Sequence, residues 1–120
     1  MDRYMIVIPA RNRAFTMKCD DGDSMKLETL QGLVGGYLET VPTELEPEWA
    51  REKGVDSVLL LVDEEGRMKG LAPNPRAAAM AREDVQLDGM VGPAVVAAKR
   101  GEELIGFAKP VVETICAEWL

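Results

Sequence analysis

The side chains that could do acid–base chemistry in this sequence are carboxylates, because its 120 residues include no histidine. That absence removes the Ser-His-Asp triad, the Cys-His pair and every metal site that uses imidazole. The densest carboxylate cluster is Asp63-Glu64-Glu65. Carboxylate catalysis needs two groups that face each other across a substrate with their pKa values driven apart, whereas neighbours at a turn face solvent. We therefore predict a turn at this cluster and a protein that is not an enzyme.

Two other segments have the composition of binding loops but not the required spacing. Aligning the glycine of the acidic loop 20–23 with that of an EF-hand places Met17 and Cys19 at positions that need hard oxygen ligands. The glycines within residues 32–36 fit no phosphate-binding motif, and they end a predicted helix, whereas phosphates bind where helices begin. Cys19 and Cys116 alone cannot close a zinc site. We expect no metal and no cofactor.

The net charge of −7 is concentrated in residues 20–65, which hold thirteen acids and three bases. Such a surface repels nucleic acid and attracts a basic partner, so we expect a protein partner and no direct nucleic-acid binding. A solvated face that keeps the protein soluble is the alternative interpretation. The chain shows no signal peptide and no run of apolar residues long enough to cross a membrane. With only two cysteines, the sequence favours a reducing compartment, and we expect a cytoplasmic location.

The hydrophobic pattern predicts a single α+β domain, with a mixed or antiparallel sheet of about five to six strands and about three to four helices. Its core would comprise residues 1–41 and 56–100, residues 42–55 would form an acidic excursion, and residues 101–120 would form a C-terminal helical region. The longest unbroken apolar run, residues 57–62, predicts a strand covered on both faces. The predicted strands are residues 4–8, 14–18, 37–41, 57–62, 67–71, 85–87 and 90–98.

Four helices are predicted from caps and apolar spacing. The first begins at Ser24 as its N-cap and is ended by Gly35, since glycine adopts the left-handed conformation without steric cost. Asn74 followed by proline predicts another helix start. The last helix begins at Pro110 and carries an apolar stripe that ends at Trp119. The predicted helices are residues 24–34, 47–53, 75–82 and 110–119.

Two segments carry a family resemblance: LQGLVGGYLE at residues 30–39 and VDEEGRMKGLAPN at residues 62–74, followed by a glycine-containing strand within residues 88–98. With these motifs the chain resembles the domain-of-unknown-function family numbered thirty-eight forty-six, over about residues 25–100. The resemblance implies a small α+β domain of bacteria, phages and mobile elements, with no established activity and no catalytic residues. The chain departs from the family pattern at residues 42–55 and after residue 101.

The family's recurring polar positions and the neighbouring carboxylates define a candidate binding surface. The structural interpretation of the same positions is that Asn74 caps a helix, Glu39 pairs on a sheet face and Tyr37 begins a strand, and both interpretations remain open from the sequence. The candidate surface residues are Gln31, Tyr37, Glu39, Asp63, Glu65 and Asn74.

Three functions are compatible with these observations. The first is a non-enzymatic interaction or regulatory accessory protein whose acidic surface contacts a protein partner, in its sharpest form by mimicking the charge of nucleic acid. The second is a small-ligand binder or minor enzyme that uses Tyr37, Glu39 and nearby carboxylates. The third is a self-associating structural protein, possible as a homodimer, in which Trp119 and the C-terminal stripe pack against a second copy.

Overall fold

The computed structural model describes residues 2–45, 55–82 and 89–120. Within them the chain forms six strands and three helices, as predicted for an α+β fold. The strands are β1 (Tyr4–Ile8), β2 (Phe15–Lys18), β3 (Leu38–Pro42), β4 (Ser57–Asp63), β5 (Ala94–Arg100) and β6 (Glu103–Ile105). The helices are α1 (Leu27–Val34), α2 (Pro75–Met80) and α3 (Lys109–Trp119).

The strands form one antiparallel sheet in the order β2-β1-β5-β4-β3, and β6 pairs with the end of β5. β5 is central because its residues from Ala94 to Ala98 are small or β-branched and fully buried. The antiparallel sheet confirms the fold class predicted from the sequence.

Both faces of the sheet are covered, since side chains alternate along each strand. Helix α1 packs on one face, where Leu30 and Val34 join a buried cluster. Helices α2 and α3 pack on the opposite face, where Met80 and Ile115 join a larger cluster. The α1 cluster also contains Met5, Val7, Leu61, Val95 and Ala97, and the opposite cluster contains Ile6, Ile8, Leu60, Val62 and Val96. Among the described residues, no helix has the length and apolarity needed to cross a membrane.

The hairpin predicted after β4 is wrong. Residues 64–70 form a series of turns, in which the N–H of Lys69 donates to the carbonyl of Glu65 at 3.0 Å. The reason is topological: β3 and β5 already lie on the two sides of β4, so a returning strand has no edge to pair with. The carboxylate cluster thus lies at a turn, as predicted, but the turn leads to α2 rather than to a strand.

The helical region predicted from residue 101 is also wrong at its start. Gly101 has φ of +60°, and with Glu102 it forms a tight turn that joins β5 to β6. Arg100 and Glu103 pair across this turn, so the chain continues as a hairpin, and α3 begins only at Lys109. The polar residues that follow Gly101 fit an exposed helix by composition. The positive φ of Gly101 instead favours the tight turn of a hairpin.

Three other element boundaries differ from the prediction, two of them for identifiable reasons. Helix α1 begins at Leu27 rather than after Ser24, because the backbone of Ser24 pairs with that of Asp21 in a turn; the carboxylate of Asp20 accepts the N–H of Lys26 at 2.8 Å just before the helix. Helix α2 ends early because the N–H of Arg82 donates to the carbonyl of Pro42. β5 begins at residue 94 rather than 90. The predicted helix 47–53 and strand 85–87 lie outside the described residues.

The apolar stripe of α3 is covered by the chain's own sheet. Val112 and Ile115 are buried, and Val111, Cys116 and Trp119 pack against the same cluster while partly exposed. The stripe is therefore largely used within the fold, with three of its residues partly exposed.

Candidate functional site

The glycine pair that follows α1 is placed by backbone geometry. Gly35 has φ of +91°, in the left-handed region that glycine occupies readily. The N–H groups of Gly35 and Gly36 both donate to the carbonyl of Gln31, at 2.8 and 3.1 Å. Gln31 thus contributes its main-chain carbonyl to the end of the helix, while its side chain is half-buried.

Asp63 anchors the turn that follows β4. Its side chain is only 1% exposed, and it accepts hydrogen bonds from Lys69 Nζ at 2.7 Å and from the N–H of Glu65 at 2.9 Å. These bonds, that of Lys69 first, lower the pKa of Asp63 below its ordinary value. Lys69 Nζ also donates to the carbonyl of Gly35 at 3.1 Å, so the ion pair ties the turn to the end of α1.

The anchor requires glycine at position 36. A Cβ atom there would lie 2.6 Å from Oδ1 of Asp63 and 2.8 Å from Nζ of Lys69, which is closer than carbon and oxygen or nitrogen can approach. The motifs GGY and DEEG therefore belong to one corner of the molecule, where α1, β4 and the turn after β4 meet. Their buried members hold the corner together.

Asn74 joins three parts of the chain from a position that is 1% exposed. Its Nδ2 donates to the carbonyls of Ile8 at 2.8 Å and Gly92 at 2.9 Å, and its Oδ1 accepts the N–H of Ala77 at 3.2 Å. The last bond is the helix cap predicted from the sequence. Because the side chain is enclosed and its polar atoms are bonded, Asn74 does not belong to a binding surface, and that part of the prediction is corrected.

A cleft of about 360 Å³ lies beside this corner, between β3 and the turn after β4. Its floor is apolar: Val41, Val62 and Met90 are buried members of the cluster beneath α2 and α3. Glu39 and Glu64 are exposed at its rim. The described residues that line the cleft are Glu39, Thr40, Val41, Pro42, Val62, Asp63, Glu64, Arg67, Met68, Gly89, Met90 and Val91.

Two side chains at the cleft have unusual surroundings. Met68 lines the cleft with 85% of its surface exposed, although methionine is an apolar side chain. Arg67 donates to the carbonyl of Gly89 at 2.8 Å, which fixes one wall. Tyr37 is 68% exposed and its carbonyl accepts the N–H of Glu64, so it lies at the same corner without lining the cleft.

The acidic groups at the cleft differ in how they are engaged. Within the described ranges, no group of three or more His, Cys, Asp or Glu side chains is placed to hold a metal ion. The carboxylate of Asp63 is committed to Lys69, whereas Glu39 and Glu64 face solvent at the rim. An apolar side chain can enter such a cleft while a cation contacts its acidic rim.

The predicted surface residues do not form one site. Glu39 and Asp63 both line the cleft, and Glu65 lies next to Asp63, to which its N–H donates. Asn74 is bonded within the fold instead, and Gln31, half-buried on α1, does not line the cleft. Sequence reasoning missed Glu64, Arg67 and Met68 as cleft residues, although one signal was present: a methionine within the polar, glycine-bounded segment EEGRMKG.

A second cavity, of about 210 Å³, lies between the sheet and α3. Cys116 lines it with Tyr4 and Val112. Burial raises the pKa of the Cys116 thiol above its ordinary value, so the thiolate that reactive cysteines require is disfavoured. This cavity therefore offers an apolar surface but no activated nucleophile.

Comparison with known proteins gives one match. The sequence model of a family described as "Domain of unknown function (DUF3846)" matches residues 4–119. A search of curated proteins found no match to the chain, and a search of solved structures found none either. The match covers almost the whole chain. It includes the segment after residue 100, which lies beyond the motifs that carry the family resemblance.

Proposed function

The chain belongs to the DUF3846 family, and we propose that it is a non-enzymatic protein-binding module. Its cleft beside β3 receives a segment of a partner protein that carries an apolar side chain next to basic residues. The observation that carries this proposal is the combination of an apolar floor with an acidic rim and a methionine that is 85% exposed. An acidic interaction protein is also what the charge distribution of the sequence predicts.

The apolar part of the cleft supports an apolar ligand group. Val41, Val62 and Met90 are buried yet line the floor, and Met68 stands at the rim. Methionine is flexible and polarizable, so it adapts to side chains of different shape and is common at surfaces that bind peptides. A partner side chain that enters the cleft would cover Met68 and remove apolar surface from water.

The acidic part supports a basic flank. Several of the thirteen acids of residues 20–65 have partners within the chain: Asp20 accepts the N–H of Lys26, Asp63 pairs with Lys69, and Asp23 lies 3.2 Å from Arg100. Glu39 and Glu64, in contrast, are exposed at the cleft. Their charges are thus available to steer and orient a basic partner.

The thiols agree with the location that we propose for this interaction, the cytoplasm. Cys19 and Cys116 are free, and burial with other effects raises the pKa of Cys19 to about 11. Unpaired cysteines are usual where the compartment is reducing.

The experiment is affinity capture from the native host with matched charge variants. Glu39→Lys/Glu64→Lys reverses the rim, and Glu102→Lys/Glu118→Lys makes the same charge change at exposed positions elsewhere. We expect proteins retained by the wild type and by the control pair to be lost with the rim pair, and to be released by added salt. Equal retention by the rim pair and the wild type would refute the cleft as the binding site.

A small-ligand site in the same cleft is the second candidate. The observation that favours it is the cleft volume of about 360 Å³, which lies within the usual range for ligand sites. The two candidates differ in the bound material. If small molecules extracted from the purified wild type are absent from the rim variant while no protein is retained by either, the ligand site replaces the protein site.

A further inference from the structure

Strand β2 is an edge strand whose outward backbone groups can be identified. The N–H of Cys19 donates to the carbonyl of Arg3, which makes these two residues a hydrogen-bonded pair. Hydrogen-bonded pairs alternate with non-bonded pairs along an antiparallel ladder. Met17 and Phe15 therefore point their backbone groups toward β1, as Cys19 does. Ala14, Thr16 and Lys18 point theirs away from the sheet.

No described residue pairs with this outer edge, because the sheet ends at β2. The strand sequence Phe-Thr-Met-Lys contains no proline, a residue that commonly prevents another strand from pairing with an exposed edge. Lysine is another common blocking residue, but Lys18 lies 3.4 Å from Asp2 of its own chain, which offsets its charge. Phe15 is 46% exposed on this strand. Within residues 2–45, 55–82 and 89–120, the edge is therefore open to pairing.

We propose that two copies of this chain associate through their β2 strands, antiparallel and about a twofold axis at Thr16. This register aligns every outward residue of one copy with an outward residue of the other: Thr16 with Thr16, and Ala14 with Lys18. Outward N–H and C=O groups of both strands are then hydrogen-bonded, and the two sheets become one continuous sheet.

The same register covers the exposed apolar side chains. Phe15 of each copy lies opposite Met17 of the second copy, on the face that carries α1. These are non-hydrogen-bonded pairs, in which opposite side chains approach most closely. Shifting the register by one residue would place outward-pointing groups against residues whose backbone groups are already bonded to β1.

The charges at the two ends of β2 complement each other in this arrangement. Exposed Arg11 and Arg13 precede the strand, and exposed Asp20 and Asp21 follow it. Antiparallel pairing brings the basic end of each copy alongside the acidic end of the second copy. A second copy therefore matches the edge in charge at both ends, which an arbitrary strand would not.

Both charged ends are held in place by the fold. Arg76 donates to the carbonyls of Pro9 and Asn12, which fixes the loop that carries the arginines. Asp20 accepts hydrogen bonds from the N–H of Lys26 and from Thr29 Oγ1, which fixes the loop that carries the aspartates. The dimer would form with little reordering of either loop.

The first test is the mass of the protein in solution by light scattering and sedimentation, from about 1 to 500 μM, a range that covers micromolar affinity. We expect twice the chain mass of 13.1 kDa at the upper concentrations. Thr16→Pro removes an outward N–H but no bond to β1, so the fold tolerates it. It should raise the dimer dissociation constant at least about a hundredfold, because the bonds at the axis are lost from both strands. A monomer throughout, or a dimer unaffected by this variant, would overturn the proposal.

A charge-reversal cycle tests the same interface without touching the strand. Arg11→Glu and Asp21→Arg, which lie opposite each other in this register, should each raise the dissociation constant about tenfold, since each contact occurs twice, and the double variant should restore it. Lys99→Glu, an exposed charge change on β5, is the control and should have no effect. Circular dichroism establishes that each variant is folded. Failure of the double variant to restore dimerisation would refute the antiparallel arrangement even if both single variants are weakened.

Discussion

Replacing Asn74 by alanine should destabilise the protein more than any other single polar substitution predicted here. The side chain donates to two buried carbonyls, those of Ile8 and Gly92, and accepts the N–H of Ala77. Alanine leaves all these groups without the partner that Asn74 supplies. The end of β1, the start of α2 and the segment before β5 would lose their common connection.

The size of the effect follows from these bonds. Loss of the helix cap costs about 1 kcal/mol. Each buried carbonyl left without a donor costs about 1–3 kcal/mol, with some relief where the structure relaxes. We therefore expect Asn74→Ala to lower the free energy of unfolding by about 3–5 kcal/mol, which is a large part of the roughly 5–15 kcal/mol typical of a domain.

Urea unfolding followed by circular dichroism measures this change, with the slope of the transition checked for two-state behaviour. Asn12→Ala is the matched control, because Asn12 is exposed and uses only its backbone carbonyl in a described bond. Its free energy of unfolding should stay within about 0.5 kcal/mol of the wild type. A loss below about 1 kcal/mol for Asn74→Ala would refute the reasoning, since that is the cap alone.

Three further predictions test the corner and the thiols. Gly36→Ala should lower the free energy of unfolding by about 1–3 kcal/mol, because the added Cβ collides with Asp63. Gly32→Ala is the control: its added Cβ meets nothing, so it should raise the free energy of unfolding by about 1 kcal/mol. Urea unfolding measures both, and a change of the same sign for both variants would contradict the packing. Because the folded-state pKa of Asp63 is lowered, its contribution is present above the unfolded-state pKa of about 3.9 and lost as pH falls through the folded-state pKa. The stability gap between the wild type and Asp63→Asn should thus be full above about pH 5 and shrink as the pH falls below about 3.9; a gap that widens in acid would reverse the sign. In the folded protein, an aromatic disulfide reagent at pH 8 should modify Cys116 before Cys19, because Cys19 is buried and its pKa is raised to about 11. The Cys19→Ser and Cys116→Ser variants give the rate of each thiol separately. Equal rates would argue against the burial of Cys19.

Local signals were sufficient to predict much of the fold. The end of α1 at Gly35 and the start of α2 at Asn74 depend on residues within one turn of each boundary, so the sequence carries their cause. The apolar run that became β4 was likewise read as a strand covered on both faces. Such strands led to a mixed or antiparallel sheet in an α+β domain, and the structure shows that it is antiparallel.

The errors came from contacts between distant residues. The segment after Asp63 could not become a strand because β3 and β5 flank β4, and strand order is not written in any local pattern. Ser24 does not cap α1, because its backbone pairs with that of Asp21 and the helix begins three residues later. For the candidate site, Glu39 was identifiable from its motif, but Met68 and Glu64 reach the cleft only through the course of the turn after β4. Asn74 was misplaced because burial of a polar residue depends on what packs over it.

The most direct test of the central claim, that the partner contacts the cleft rim rather than the motif's buried polar residues, is site-specific photo-crosslinking in the native host. A photoreactive p-benzoylphenylalanine replaces Met68 in one variant and Glu102, exposed at the β5–β6 turn, in the other. We predict that the Met68 variant forms a defined protein adduct that Glu39→Lys/Glu64→Lys abolishes, and that the Glu102 variant does not form it. The same adduct from both positions, or one that survives reversal of the rim charges, would contradict the claim.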